Sequence, residues 1–130
     1  MSFAALRAPI FVMCSIAVAV ASDAVAQEPI RSGDLLTGQL RLVRTRYPNG
    51  TPINAFQIVS AARAMPADDD FCDKPATTFH FVAMDEAKMK LLRPLVGKAV
   101  SLKAGELFCS HTAWHIGDAV VLTWSALAPR

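Results

Sequence analysis

Five separate segments with strand-like hydrophobicity, of which the last is apolar enough to lie centrally, restrict the fold of this chain more than any other feature. In the first segment, apolar residues alternate with polar ones from Leu35 onward, as in Leu36-Thr37-Gly38-Gln39-Leu40-Arg41-Leu42. This period of two is typical of a strand with one buried face. The remaining four segments cover about 54–62, 77–84, 99–108 and 119–126. The pattern therefore predicts a mainly β domain.

One helix is predicted between the third and fourth strands. Asp85 and Glu86 suit the positive end of a helix, and Gly97 suits its end. An apolar stripe is predicted from Ala87, Leu91, Leu92 and Leu95. The order β-β-β-α-β-β is that of an OB-like Greek-key barrel of five strands, which we expect over 35–130.

Glycines and aromatic residues refine this expectation. Gly38 predicts a bend in the first strand, and Gly105 predicts a bulge or a barrel corner in the fourth. A turn is predicted at Tyr47-Pro48-Asn49-Gly50, where Asn-Gly tolerates positive φ values. Trp124 and the phenylalanines of the strands are expected in the core.

The N-terminus has the three parts of a secretory signal peptide. Arg7 is its positive charge, residues 10–20 form a short apolar core, and Ala24-Val25-Ala26 is a small-x-small cleavage signature. The apolar run is shorter than the roughly 20 residues of a membrane span. We therefore expect cleavage after residue 26, a disordered leader over 27–34, no stable membrane anchor, and a periplasmic or secreted protein.

Removal of the signal would leave Cys72 and Cys109 as the remaining cysteines. Their separation of about 37 residues does not resemble the C-x-x-C spacing of metal or redox pairs. In an oxidising compartment, a disulfide between them would stabilise a small domain by roughly 3–4 kcal/mol. A structural disulfide between Cys72 and Cys109 is therefore predicted.

The candidate site lies between the last two predicted strands, where two of the three histidines and one of the two tryptophans fall within five residues. Loops concentrate binding groups, and in OB-folds this loop borders the usual ligand face. One reading is a ligand- or protein-binding loop with Trp114 as an apolar platform. Another is structural, with Trp114 closing one end of the barrel and the histidines satisfying backbone groups at a turn. The candidate binding residues are Ser110, His111, Thr112, Trp114 and His115.

A metal site is the alternative function. His111 and His115 could supply two ligands for zinc or copper. In an extended strand their spacing separates them by about 13 Å. A metal site would therefore need a turn at Ala113 and a third ligand, such as His80 or Asp118.

Other classes of function find little support in the sequence. There is no G-x-S-x-G or H-E-x-x-H motif, Ser110 beside His111 is only sequence adjacency, and no cofactor motif is present. The acidic run 68–70 lacks the spacing of a calcium loop. Without residues 1–26 the chain has 12 basic and 10 acidic residues, a balance that argues against nucleic acid despite Arg41, Arg44 and Arg46. We expect a non-enzymatic module that binds an envelope protein or a small ligand.

The C-terminal half resembles a bacterial domain-of-unknown-function family of small exported proteins. The resemblance lies in Leu95-Val96-Gly97-Lys98-x-Val100, Gly105-Glu106-Leu107-Phe108, His111-Thr112-x-x-His115 and Val120-Val121-Leu122. The family's histidine run is richer, since Ala113-Trp114 interrupts it here. The resemblance implies export and a small barrel, and it implies no particular activity.

Overall fold

Two long strands of 12 residues each lie at the centre of the sheet. These are β1 (Leu35–Arg46) and β2 (Pro52–Arg63), joined by the predicted turn, in which Gly50 has a φ of 85°. The computed structural model describes residues 28–66, 70–82 and 85–130, together with Pro9. The rest of the predicted signal peptide lies outside these residues. In the described part of the chain, no helix is long and apolar enough to span a membrane.

Five further strands and one helix complete the architecture. They are β3 (Ala76–Phe81), α1 (Glu86–Leu92) with a 3-10 turn at Arg93–Leu95, β4 (Ala99–Ala104), β5 (Leu107–Cys109), β6 (Ala119–Val121) and β7 (Trp124–Pro129). The strands form one curled half-barrel sheet in the order β5-β6-β3-β2-β1-β4-β7. Neighbouring strands are antiparallel except β3 and β6, which are parallel. The prediction of a mainly β fold is confirmed.

The sheet has seven strands where five were predicted, because the last two predicted strands are each broken in two. The breaks face each other at Gly105 and Thr123. Gly105 donates its N–H to the carbonyl of Thr123 at 2.7 Å, and Glu106 donates its N–H to Thr123 Oγ1 at 2.8 Å. A Cβ on residue 105 would lie 2.1 Å from Thr123 Oγ1. Only glycine permits this approach, so the ribbon turns a corner here, as Gly105 predicted.

The corner lets a single ribbon reach both edges of the sheet. β4 and β7 pair on the β1 side, whereas β5 and β6 pair on the β3 side. The chain crosses from one edge to the other through 105–106 and returns through 122–123.

Gly38 makes a second close approach, because a Cβ there would lie 2.2 Å from the carbonyl oxygen of Val59.

The core fills the concave side of the sheet. Leu36, Leu40, Ile58 and Phe79 are fully buried there. Phe56 and Phe81 are also buried, as predicted, while Trp124 is only partly buried against the core. Each fully buried side chain of this size contributes roughly 1.5–3 kcal/mol of transfer free energy.

The helix begins where the sequence predicts. The Asp85 carboxylate accepts a hydrogen bond from the N–H of Lys88 at 2.9 Å and caps the first turn. Leu92 is fully buried, whereas Ala87 and Leu91 are exposed. The predicted apolar stripe is therefore wrong at two positions, because the helix is only seven residues long and contacts the core through one face near its end.

The segment predicted as a disordered leader, 27–34, is ordered from Ile30 onward, in contrast to that prediction. Ile30 is fully buried and donates its N–H to the carbonyl of Ala64 at 2.9 Å. Asp34 accepts a hydrogen bond from the N–H of Arg31 at 2.8 Å. The buried isoleucine holds this segment against the end of β2.

Candidate functional site: an aromatic loop held over the sheet

The connection from β5 to β6 folds into a turn at the centre of the predicted site. His115 donates its N–H to the carbonyl of Thr112 at 3.1 Å, and Trp114 donates its N–H to Thr112 Oγ1 at 3.2 Å. Thr112 thus organises the turn with both its backbone and its side chain. The turn at Ala113 brings His111 and His115 together, with ring centroids 4.7 Å apart.

The segment after the turn lies over a polar row on the sheet. Gln57 of β2 and His80 of β3 are direct register partners, and they are 3% and 2% exposed. The N–H of Ile116 donates to His80 Nδ1 at 2.9 Å, and the carbonyl of Ile116 accepts from Gln57 Nε2. The backbone N–H and carbonyl of Ile116 are therefore both hydrogen-bonded to buried side chains. These bonds give Ile116, Gln57 and His80 the partners that buried polar groups require.

The same row continues onto β1. Arg41 is the register partner of Gln57 and donates from Nε to Gln57 Oε1 at 2.9 Å. This contact fixes the orientation of the Gln57 amide, because the carbonyl end must face Arg41 and the NH₂ end must face Ile116. Three strands therefore cooperate in holding the loop.

Gly117 and Asp118, which follow Ile116, complete the attachment of the loop. Gly117 has a φ of 144° and passes so close to β3 that a Cβ would lie 3.2 Å from the carbonyl oxygen of Thr78. Asp118 donates its N–H to Thr78 Oγ1 at 2.8 Å, and its carboxylate accepts from the N–H of Thr77 at 3.0 Å. The loop is thus attached along 116–118 and exposes the rings that precede this stretch.

Four rings from three chain segments pack on each other above this attachment. His111 stacks on Phe71 with centroids 4.9 Å apart, and Phe108 lies 5.5 Å from both His111 and His115. Phe71 is 58% exposed. We call Phe71, Phe108, His111 and His115 the ring cluster. The ring cluster presents apolar surface beside hydrogen-bonding nitrogens.

Trp114 leans the other way, toward the β1–β2 turn. Its ring lies 4.6 Å from that of Tyr47 at an interplanar angle of 41°, and Trp114 is 45% exposed. Trp114 is not buried inside the barrel, because nearly half of its surface faces solvent. Trp114 instead joins two loops into one continuous surface.

The predicted disulfide between Cys72 and Cys109 is present, with Cα atoms 5.4 Å apart. It attaches the segment that carries Phe71 to the strand that leads into the loop. A cavity of about 200 Å³ lies beside it, lined in part by Phe71, Lys74, Ser110 and Asp118. The disulfide therefore holds one wall of the ring cluster in place.

The electrostatics of the site favour neutral imidazoles. Burial, with a contribution from His115, lowers the pKa of His80 to about 4. Burial and the neighbouring His111 lower the pKa of His115 as well. Burial of Asp118 acts to raise its pKa, but hydrogen bonds from Thr77 and Thr78 and the charge of Lys74 hold it below its usual range. At neutral pH the rings of His80 and His115 are therefore neutral, and the hydrogen-bonded carboxylate of Asp118 is charged.

Hydrogen bonds already made by the histidine ring nitrogens limit which atoms could bind a metal ion. His80 Nδ1 and His115 Nδ1 both accept backbone N–H bonds, the latter from His111 at 3.3 Å, so each neutral ring carries its proton on Nε2. Asp118 is engaged by Thr77. In the described ranges, no group of three or more His, Cys, Asp or Glu residues is positioned to hold a metal ion. The turn required for a metal pair is present, but the residues that the structure describes supply no third ligand.

Ser110 and His111 do not form a nucleophile–base pair. Ser110 Oγ is buried without a hydrogen-bond partner among the residues that the structure describes. The Nδ1 atom of His111 lies 3.3 Å from the carbonyl oxygen of Cys109. The two side chains therefore lack the contact that would activate a serine.

The predicted residues of the loop lie together, but the residues that position them were not predicted in that role. Tyr47, Phe71 and Phe108 complete the surface, and Gln57 and His80 hold it. Gln57 could have been recognised, because it is the one strongly polar residue within the apolar run Ala55-Phe56-Gln57-Ile58-Val59. Buried glutamine in such a run requires hydrogen-bond partners.

Comparison with known proteins gave no match to a protein-family model, to a curated protein or to a solved structure.

Proposed function

We propose that this protein is an exported, non-enzymatic binding module that contacts a ligand or a partner protein through Trp114 and the ring cluster. The observation that carries the proposal is that large aromatic side chains are exposed on and beside a loop that is hydrogen-bonded to the sheet. Phe71 and Trp114 are 58% and 45% exposed, although large apolar side chains are mostly buried. Exposed aromatic side chains on a fixed support are typical of recognition surfaces.

The attachment of the loop supports a preformed site. Ile116 is bound at both backbone atoms by His80 and Gln57, and Asp118 is bound by Thr77 and Thr78. A surface that is already ordered loses less conformational entropy when a ligand binds. The polar atoms at its border, on His111, Thr112 and His115, can orient a ligand by hydrogen bonds.

The proposal includes an OB-like arrangement of the sheet. Its support is that β1 pairs with β2 and β4, that β3 pairs in parallel with β6, and that α1 lies between β3 and β4. Taking β4–β5 and β6–β7 as two strands bent at the Gly105 corner gives a five-stranded connectivity. In OB-folds the loop that corresponds to 110–118 borders the ligand face.

Export is proposed on two grounds. The N-terminal 26 residues have a positive start, an apolar core and a small-x-small end. The Cys72–Cys109 disulfide is of the kind that persists in oxidising compartments. Mass spectrometry of the protein recovered from the extracytoplasmic fraction tests this, since export requires a chain that begins at Gln27 and lacks two hydrogens.

The binding site is tested by NMR with the two tryptophans as reporters. A library of oligosaccharides and short peptides is added to the ¹⁵N-labelled protein, and the two indole N–H signals are followed. We expect ligands to shift the signal of Trp114 and to leave that of Trp124 unchanged, because Trp124 packs against the core instead.

Matched variants distinguish recognition from structure. Trp114→Ala should abolish the shifts with little change in melting temperature, while Leu91→Ala, at a residue 58% exposed on α1, should retain binding. Ligands that bind Trp114→Ala as well as the wild type contradict the proposed site. A melting temperature that falls by many degrees in Trp114→Ala would indicate a structural role.

A further inference from the structure

The loop over 110–118 is attached to the sheet through a histidine that is otherwise enclosed. His80 on β3 is 2% exposed, and its Nδ1 atom accepts the N–H of Ile116 at 2.9 Å. A backbone N–H can only donate, so Nδ1 carries the free lone pair of the neutral ring and Nε2 carries the proton. The next proton that His80 takes up must therefore bind the same nitrogen that holds the loop.

The other side chains of this row cannot replace the lost acceptor. Gln57 already donates its NH₂ group to the Ile116 carbonyl. It cannot turn its amide around, because Arg41 donates from Nε to its Oε1 atom at 2.9 Å and an arginine side chain has no acceptor. Protonation of His80 would thus place one N–H against the N–H of Ile116 at a site shielded from water, which is unfavourable.

The groups that face His80 do not favour a charged ring. On β1, Arg41 follows Gln57 in the same row, and its guanidinium is always charged. From the loop, His115 repels His80 when both rings are protonated. On β6 the register partner of His80 is Val120, which is apolar and fully buried. Among the residues that the structure describes, no carboxylate forms an ion pair with His80.

Opening of the loop admits water to His80 and leaves the core intact. Every residue from 110 to 118 is exposed or half-buried, so departure of this segment uncovers little apolar surface. Unfolding of β3 would instead expose Phe79 and Phe81, which are 0% and 2% exposed. We therefore expect the loop to leave the sheet as a local unit while the strands stay paired.

The end of the loop beside β6 is held by a group that keeps its charge in mild acid. The Asp118 carboxylate accepts from the N–H and the Oγ1 of Thr77, and the Asp118 N–H donates to Thr78. Although burial acts to raise the pKa of Asp118, hydrogen bonds from Thr77 and Thr78 and the charge of Lys74 hold it below its usual range. Gly117, with a φ of 144°, lies between the two attachments. The part of the loop that can open is therefore 110–116.

We propose that residues 110–116 form an acid-released element, in which protonation of His80 at Nδ1 breaks the bond to Ile116 and frees the aromatic surface from the sheet. Trp114 then leaves its contact with Tyr47. The release follows from the bonds of His80. Its consequence, that a bound ligand is lost in acid, rests on the proposed function of the loop.

Acid favours the open form because the open form binds the proton more tightly. Burial and then His115 lower the pKa of His80 to about 4 in the closed form, whereas a ring exposed by opening has the ordinary value of 6.5. The open fraction therefore rises by up to about tenfold per pH unit between these values, and by up to about 300-fold over the whole range.

Amide hydrogen exchange followed by NMR between pH 7 and pH 4 tests the release. We expect the N–H of Ile116 to be less protected than those of Asp118 and Phe79 at every pH, since it exchanges through local opening. After correction for the intrinsic exchange rate, its protection should fall by up to about tenfold per pH unit. Protection of Ile116 equal to that of Phe79 would overturn the proposal, because the loop would then open only when the domain unfolds.

Two variants each remove one side chain that binds Ile116, and only one of them removes a titrating group. His80→Asn supplies an amide oxygen that acid does not protonate, so the protection of Ile116 should lose most of its pH dependence. Gln57→Leu should lower that protection at every pH and keep the pH dependence. An unchanged pH dependence in His80→Asn would overturn the proposal, and the wild-type exchange rates test it even where a variant fails to fold.

The state of the aromatic surface is measured from the contact between Tyr47 and Trp114, whose ring centroids lie 4.6 Å apart. Nuclear Overhauser effects between these rings should weaken from pH 7 to pH 4 in the wild type and persist in His80→Asn. Persistence in the wild type at pH 4 would overturn the release. These measurements use no ligand, so if the compound library fails to shift the Trp114 indole signal, the proposed function is wrong and the acid release stands.

Discussion

The imidazole of His80 accepts a hydrogen bond from the N–H of Ile116 at 2.9 Å, which links β3 to the aromatic loop 36 residues later in the chain. His80 is 2% exposed, so this bond is shielded from water. Removal of the acceptor would leave a buried N–H unsatisfied. The stability of the domain and the position of the loop are therefore coupled through one ring nitrogen.

We expect His80→Leu to lower the free energy of unfolding by about 1–3 kcal/mol, because the Ile116 N–H loses its acceptor. His80→Asn should cost less, since the amide oxygen can accept the same bond. Urea unfolding followed by tryptophan fluorescence measures both values. Equal stability of the leucine variant and the wild type would show that the bond contributes little.

The stability of the domain should fall as the solution is acidified below about pH 6.5. The folded pKa of His80 is about 4, below the value of 6.5 expected for an unfolded chain. Between these values the unfolded state binds more protons, so unfolding becomes easier as pH falls, and the loss levels off near pH 4. The shift corresponds to about 3 kcal/mol.

Urea midpoints measured between pH 8 and pH 4 test this dependence. His115, whose pKa is also lowered, acts in the same direction. His80→Asn should flatten most of the slope. A slope that is unchanged in His80→Asn would assign the pH dependence to other groups.

We expect Gly105→Ala to destabilise the domain by roughly 1–3 kcal/mol, because the added methyl group would lie 2.1 Å from Thr123 Oγ1 and 2.9 Å from the Thr123 carbonyl. Gly50→Ala is the control. Its φ of 85° is unfavourable for alanine, but no atom lies within 4 Å of the new Cβ. In thermal unfolding we expect a lower melting temperature for Gly105→Ala than for Gly50→Ala. The reverse order would contradict the close contact between Gly105 and Thr123 at the corner.

Replacement of both Cys72 and Cys109 by serine should lower the free energy of unfolding by about 4 kcal/mol, from the entropy that the open loop gains in the unfolded state. Chemical denaturation of the variant and of the reduced wild type measures the loss. We also expect the Phe71 signals to approach random-coil shifts, because Phe71 would no longer be held beside His111. If the Phe71 signals kept their native shifts instead, contacts other than the disulfide would be sufficient to position Phe71.

Zinc should not bind stoichiometrically at His111 and His115. Ligation through the Nε2 atom of His115 would require its Nδ1 atom to give up the bond from the His111 N–H. Native mass spectrometry of the chelator-free protein with added zinc measures uptake. One zinc ion per chain that is lost in both His111→Ala and His115→Ala would contradict this and support the metal alternative.

The sequence predicted the helix and strands better than it predicted where the strands break. The helix start at Asp85 was correct, because capping is a local interaction, and Phe56, Phe79 and Phe81 follow the predicted alternation. The division into seven strands was missed. Gly105 indicated a corner, but only the contact with Thr123, which is distant in sequence, shows that both strands break together.

The candidate loop was located by composition, and its neighbours were not. The cluster of His111, Trp114 and His115 was visible in the sequence. The stacking of Phe71 and the hydrogen bonds of Gln57 depend on which strands lie side by side. Such contacts between distant segments cannot be derived from local periodicity.

The parallel pairing of β3 with β6 has a consequence for the order of events during folding. The rings that surround the loop come from residues 47, 71, 108 and 115, and the pairing of β6 with β3 places the loop beside the other segments that carry them. We expect pairings between segments so far apart in sequence to form late, since closing long loops is entropically costly. On the proposed function, the newly made chain is therefore expected to bind only once folding is complete.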